Sequence, residues 1–380
     1  MDYKQQSIAL HKQYKGKLNI CSKVPIDNKF DLSVAYSPGV AGPCLEIQAH
    51  PEQAKELLSA KSTVAVITDG TAVLGLGDIG PEAGLPVMEG KCALFKRFGN
   101  VDAFPIAINS KDTEEIIQTI KLIAPSFGGI NLEDIAAPRC FEIEERLKKE
   151  LDIPIFHDDQ HGTAIVTLAG LINAIKVTEK STDAKVVING AGAAGIAIAK
   201  LLHLYGFDNM ILCDSKGIIS KHREDLNEAK KEALTFSNEY HMQGSVHDAL
   251  KGADIFVGVS KGNLLKVEDI QSMNRNPIIM AMANPDPEIT PDEAKKGGAA
   301  IVATGRSDYP NQINNVLVFP GIFKGAFESN AKEISDEMKL AAAKGLASLV
   351  QNPSADKIIP DPFDAGIAEA IAKAVKDAVK

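Results

Sequence analysis

Val186-Val187-Ile188-Asn189-Gly190-Ala191-Gly192-Ala193-Ala194-Gly195 is the stretch on which the fold turns. Three β-branched residues run into a G-x-G-x-x-G pattern, and an apolar helix-forming run follows from 196 to 205. Strand, glycine turn and helix in that order make the opening unit of a dinucleotide-binding sheet. Gly190 supplies the tight turn. Gly192 lets a pyrophosphate approach the helix N-terminus, opened by Ala193 and Ala194, where free N–H groups and the dipole favour an anion. Gly195 lets that helix sit close on the strand. Gly206 reads as the left-handed cap that ends it. A second strand runs on to Asp214, 19 residues past Gly195, where a carboxylate would bond the adenosine ribose hydroxyls. Its charge repels a 2′-phosphate and favours NAD. Lys216, Lys221 and Arg223 follow closely enough to neutralise that repulsion, which leaves NADP possible.

Around this unit, strands and helices alternate. Strands are expected at 63–68, 103–108 and 153–156, then at 185–189, 210–213, 255–259 and 278–283. Ile116, Ile117, Ile120 and Ile123 fall at helical spacing behind the acidic first turn of Asp112, Glu114 and Glu115, so 112–124 is expected to be a helix. Another is expected at 163–176. Such alternation implies parallel sheets covered on both faces. A polar break at 177–184 separates two βα series. The fold class is therefore α/β, with an N-terminal α/β substrate domain and a C-terminal doubly wound, Rossmann-type dinucleotide domain. Alanine-rich helices at 329–351 and 364–380 are expected to pack across domains or between subunits.

Composition narrows the function. The chain has 380 residues, 45% of them hydrophobic and 24% charged, as expected for a soluble protein of two or three domains. A net charge of −9 argues against nucleic acid or an anionic membrane as partner, since both need a basic face. The first residues lack an apolar core and do not read as a signal peptide. Five cysteines, with no C-x-x-C, fit buried reduced thiols and a cytoplasmic protein.

Two short apolar runs each end in an acidic pair: Asn131-Leu132-Glu133-Asp134, and Ile153 to Phe156 followed by His157-Asp158-Asp159-Gln160-His161-Gly162-Thr163. Four oxygen donors at two strand ends suit a hard divalent cation, Mg²⁺ or Mn²⁺, with positions left open for substrate oxygens. Either pair alone reads as ordinary helix capping. His157 and His161 have the spacing of zinc ligands on a helix, but the residues between and after them read as a loop. Both histidines are taken as supporting residues.

With these motifs in place, the chain resembles the malic enzymes, in particular their short bacterial form. The likeness runs from Val34-Ala35-Tyr36-Ser37-Pro38-Gly39-Val40 through Thr68-Asp69-Gly70, Leu74-Gly75-Leu76-Gly77-Asp78-Ile79-Gly80, Gly90-Lys91, the two acidic segments and Ala283-Asn284-Pro285 to Asn314-Asn315 and Val318-Phe319-Pro320-Gly321. The resemblance implies a substrate and metal domain over 1–160 and an NAD(P)-binding domain with C-terminal helices over 161–380. It implies conversion of L-malate to pyruvate and CO₂, by way of oxaloacetate, with reduction of NAD or NADP and dependence on Mn²⁺ or Mg²⁺. Glu133, Asp134 and Asp159 would be the metal ligands, and Asp158 a supporting carboxylate. Lys91 would be the general base and Tyr36 the general acid. Asn284 and Asn315 would hold the substrate carboxylate, with Asn284 also beside the dinucleotide. The family further implies a homodimer or a dimer of dimers, in which the tyrosine can come from the neighbouring subunit.

A lysine serves as base only if its pKa is drawn towards neutrality. Lys91 is expected at the start of a helix over 91–97, where the dipole disfavours positive charge. One departure stands out: the large eukaryotic malic enzymes carry an arginine where this chain has Ala72. A metal-dependent oxaloacetate decarboxylase would use the same metal, lysine and tyrosine. The complete glycine pattern and Asp214 favour the redox reaction.

Overall fold

The computed structural model describes residues 3–73 and 75–379, so Leu74 of the L-G-L-G-D motif and the terminal Lys380 of the last expected helix lie outside the described residues. Four strands, β1 (Thr63–Thr68), β2 (Asp102–Ala107), β3 (Gly129–Leu132) and β4 (Ile155–His157), form a parallel sheet in the order β2-β1-β3-β4. Six more form a second sheet: β5 (Val186–Asn189), β6 (Met210–Asp214), β7 (Gly217–Ile218), β8 (Ile255–Gly258), β9 (Ile278–Ala281) and β10 (Ile301–Thr304). Their order is β10-β9-β8-β5-β6-β7, parallel except for the short β7, which folds back on β6.

Both sheets reverse their winding beside a central strand, between β1 and β3 in the first and between β5 and β8 in the second. Open parallel sheets bind ligands at such points, outside the C-terminal strand ends. Those ends are where the acidic pairs and the glycine turn fall.

The helix Asp158–Thr178 joins the sheets, and the expected division after residue 160 falls inside its first turn. It starts five residues before the expected 163, with Asp158 and Asp159 in the turn where the dipole favours carboxylates. Gly162 had suggested a loop there. Burial of every residue from Ala164 to Ala174 outweighs that propensity. A second correction concerns Lys91. The helix around it is Pro81–Gly99, so Lys91 lies in its middle, and the expected dipole effect at a helix start does not apply. Gly84, Pro86 and Gly90 look like breakers, yet Met88, Cys92 and Phe95 bury one face and hold the helix together.

One apolar core runs through both sheets, from Val64 and Val66 past Phe95 and Phe156 to Val186 and Ile188. The helix Phe319–Glu328 follows the second sheet but packs on the first-sheet helix Pro81–Gly99. Phe95 meets Phe319 and Phe323 at centroid distances of 4.6 and 5.5 Å. The last helix, Ile367–Asp377, lies against Phe319–Glu328, so the C-terminal helices pack across the two halves within the chain. Buried Asn173 ties the joining helix to this region by donating to the carbonyls of Ala347 and Ile358, both at 2.9 Å.

No helix among the described residues is long and apolar enough to cross a membrane. Cys92, Cys140 and Cys213 are buried free thiols, whereas Cys21 and Cys44 are exposed, which corrects the expectation that all five are buried. The helices Tyr3–Tyr14, Lys29–Ala35 and Ala41–Ala49 bury no residue. Ile20, Phe30 and Tyr36 stand 84%, 75% and 68% exposed there.

Candidate active site

Each acidic pair sits where a strand gives out. Glu133 N–H still donates to Ile67 O at 2.9 Å, and the chain then turns through Asp134, whose φ of 55° is a left-handed conformation that non-glycine residues seldom adopt. Asp134 N–H donates to Asp159 Oδ2 at 2.8 Å, locking the end of β3 to the helix that follows β4. The result brings carboxylate oxygens of Glu133, Asp134 and Asp159 within 4.8 Å of one another.

The donor set fits a hard divalent cation: three carboxylates, two of them buried, crowded at one point. The Glu133 carboxyl is pushed well above the usual carboxylate range, first by burial and then by Asp159, Asp158 and Asp134, with Lys91 opposing. Such repulsion is what a bound cation relieves.

Lys91 reaches this cluster from the opposite helix. Its Nζ lies 2.6 Å from Asp158 Oδ2, 2.9 Å from Glu133 Oε1 and 4.3 Å from the centroid of the Phe319 ring. Burial alone would lower its pKa, but Asp158 and Glu133 outweigh burial and hold the amine protonated above the ordinary lysine range. Asn315 donates to the same Oδ2 of Asp158, so one carboxylate oxygen joins the Lys91 ammonium to the Asn315 carboxamide. Asp158 itself is fully buried, and burial raises its carboxyl above its ordinary value against the pull of Lys91.

Behind the cluster sits Glu144, which the sequence reading missed. It accepts from His157 N–H at 3.1 Å, from His161 Nε2 at 2.8 Å and from Lys148 at 2.7 Å, closing the start of the joining helix. Burial would raise the Glu144 carboxyl, but the Lys148 ammonium and the hydrogen bond from His161 hold it well below the carboxylate range. Burial pushes His161 down to about 3, so its imidazole is neutral. Arg139 was also missed. It pairs with buried Asp69 at 2.7 Å, and Thr71 bonds both Asp69 and the Ala136 amide, so the segment before Ala72 is fastened to the segment after Asp134. The Arg139–Asp69 pair joins residues 70 apart, so no local spacing could have found it.

A cleft of about 630 Å³ opens between the two sheets, lined by Ala72, Asp159, Gly192, Ala193, Ala194, Asn284 and Asn315 among others. Asp159, alone of the carboxylate cluster, thus faces one space with the glycine turn, and Lys91, Glu133, Asp134 and Asp158 lie behind its wall. A second cavity of about 730 Å³ continues from it past Gly190 and Gly192 to Asp214, Lys216 and Lys230. The glycines differ in the space around them. A Cβ on Gly195 would lie 1.8 Å from Gly190 O, whereas one on Gly192 would meet nothing within 4 Å, which leaves room over the helix N-terminus.

Asp214 ends β6, as expected, but its carboxylate is already engaged. Arg223 grips both oxygens at 2.8 and 2.9 Å, Lys230 adds 2.7 Å, and the Lys216 amide donates at 2.9 Å. Burial would raise this carboxyl, but the cationic partners hold it down to about 2. Of the expected neutralising residues Arg223 does this. The Lys216 and Lys221 ammonium groups turn instead to Asp225 and His241, and Lys230 was not foreseen. Tyr36 follows the helix Lys29–Ala35 and is not among the residues lining the cleft of its own chain.

Family models describing the malic enzyme N-terminal domain and the malic enzyme NAD-binding domain match residues 15–148 and 160–379. The chain is 56% identical to the bifunctional malic/malolactic enzyme of Bacillus subtilis, over 100% of this chain and 93% of that protein. It is 55% identical to the NAD-dependent malic enzyme of Geobacillus stearothermophilus, over 96% and 76%. The crystal structure of a malic enzyme from Pyrococcus horikoshii superposes with a TM-score of 0.95 at 46% identity, covering 98% of this chain and 90% of that one.

Proposed function

The chain belongs to the malic enzyme family, and from that premise we propose that it oxidises L-malate with NAD to pyruvate and CO₂, using Mn²⁺ or Mg²⁺. The observation that carries the reading is the Nζ of Lys91 set between Asp158 and Glu133, beside a three-carboxylate cluster and the cleft that Gly192 and Asn284 share. Glu133, Asp134 and Asp159 would hold the cation. When bound, that ion supplies a Lewis acid for the substrate's oxygens and offsets carboxylate charge around Lys91, while the dinucleotide supplies the hydride acceptor.

The chain's own residues do the rest. Lys91 takes the C2 hydroxyl proton as hydride leaves C2. Asp158, 2.6 Å from Nζ, receives one of its N–H bonds and fixes its direction. Asn284 and Asn315 hold the substrate carboxylate, and Tyr36 returns a proton to C3 once CO₂ has left the transient oxaloacetate. The test follows reduced nicotinamide fluorescence with malate, Mn²⁺ and NAD, beside oxaloacetate decarboxylation without nucleotide. Decarboxylation with no malate-dependent reduction would overturn the redox reading.

Tyr36 needs a second chain. The exposed apolar side chains of the N-terminal helices support a homodimer, alone or paired again, in which Tyr36 enters the neighbouring cleft. Mixing Tyr36→Phe with Lys91→Ala chains should then restore about a quarter of wild-type activity through random pairing. A mixture as inactive as its components would put Tyr36 in its own subunit.

Cofactor choice rests on Asp214. Arg223 and Lys230 beside it balance its charge, and Lys230 lines the cavity where a 2′-phosphate would lie, so NADP is a weaker second substrate. Asp214→Ala should move the ratio of kcat/KM values towards NADP by about tenfold or more, the weight of one removed like-charge contact. An unchanged ratio would contradict that role.

A further inference from the structure

Glu288 is fully buried and lines neither cavity, yet it bonds the loops that follow β8 and β9, both of which do. Its Oε1 accepts the Ser260 amide at 3.0 Å and lies 3.5 Å from Ser260 Oγ. Its Oε2 accepts the Ala283 amide at 3.0 Å. Asn189, the residue before the glycine turn, donates from Nδ2 to Ser260 Oγ at 2.7 Å. The Glu288 carbonyl accepts the Leu264 and Leu265 amides at 2.8 and 2.9 Å. One residue therefore fastens the C-terminal ends of β5, β8 and β9 to one another. Ser260 and Asn284, on either side of the cleft, hang from those ends.

The site is built for a carboxylate. A Cβ on Gly258 would fall 2.3 Å from Glu288 Cδ, so β8 ends in the one residue that leaves room. Burying a carboxylate is costly and raises its pKa, and only donors aimed at both oxygens offset that cost. An acceptor-only group takes N–H bonds on both sides at once. A glutamine would turn its NH₂ towards one amide and release either Ser260 or Ala283.

We propose that Glu288 is a positioning residue for hydride transfer: it fixes the separation between the dinucleotide loop at Ser260 and the substrate loop at Ala283 and Asn284. The proposal rests on the malate-oxidising reading above. By holding both loops from beneath, the carboxylate sets how far the C2 hydrogen of the substrate lies from the acceptor ring. A misplacement of about 1 Å in such a geometry costs on the order of 100-fold in rate.

The experiment compares C2-deuterated with ordinary L-malate, using full-length Glu288→Gln with Mn²⁺ and NAD. The expected result is a kcat lowered about tenfold to a hundredfold, with a deuterium isotope effect that becomes larger or more temperature-dependent than in the wild type. Loss of kcat with an unaltered isotope effect would mean only that less of the enzyme is active, and overturns the proposal, as would wild-type kinetics. If Glu288→Gln does not fold, Ser260→Ala removes the hydroxyl between Asn189 and Glu288 and must alter the isotope effect in the same direction. An unaltered effect there is equally fatal. Wild-type protein that reduces no NAD with malate sinks the parent reading and this proposal together, whereas an unresponsive isotope effect in active protein sinks this one alone.

Discussion

Lys91→Ala is expected to lower kcat for malate oxidation by about 10²–10⁴-fold, the usual contribution of a positioned general base. Manganese affinity should not weaken. The ammonium group sits 2.9 Å from Glu133, where it opposes a second cation instead of helping to hold one. Stability should move in a telling way. Lys91 is the cation that Asp158 and Glu133 share in the buried cluster, so its removal leaves two buried carboxylates facing each other and costs about 3–5 kcal/mol in metal-free protein. Binding of Mn²⁺ to the native state then restores part of that loss, because a ligand stabilises the form it binds. Thermal unfolding with and without Mn²⁺ should therefore show a wider gap for the variant than for the wild type, alongside the collapse in kcat. A fully active Lys91→Ala enzyme would remove Lys91 from the role of base.

Gly162→Ala is expected to cripple the enzyme from a position that touches no substrate. An added methyl would lie 1.9 Å from Asp158 Oδ1 and 3.2 Å from Asn315 Cβ. Asp158 must move, and with it the oxygen that binds both Lys91 and Asn315. Within a helix, glycine to alanine ordinarily gains about 0.5–1 kcal/mol. Here overpacking costs about 1–3 kcal/mol, so the net is a loss of about 0–2.5 kcal/mol. Activity should fall about a hundredfold, because the base loses its orientation. Steady-state kinetics beside denaturant unfolding would separate the two effects. Wild-type kcat/KM in Gly162→Ala would mean that Asp158 does not orient Lys91.

The sequence made some parts of this architecture readable and hid others, and distance along the chain explains the difference. The glycine turn 190–195 could be read because its strand, turn and helix are contiguous, and the structure bears out strand, cap and the space above Gly192. The acidic pairs could be read because carboxylates at the ends of buried strands are unusual in themselves. Their convergence could not, since the Asp134–Asp159 bond spans 25 residues. Lys91 was misplaced to a helix start because Pro86 and Gly90 mimic a boundary that the buried face of Pro81–Gly99 overrides. β10 was missed behind the weak strand formers Gly297, Gly298, Ala299 and Ala300. Glu144 and Glu288 carry no local signature, because an isolated glutamate in a sequence reads as a solvated side chain.

Manganese-edge anomalous diffraction from crystals soaked in Mn²⁺ tests the central claim most directly. The arrangement predicts one strong peak within bonding distance of carboxylate oxygens from Glu133, Asp134 and Asp159 together, close to the Lys91–Asp158 pair. A peak elsewhere, or one that excludes any of these three side chains, would contradict it.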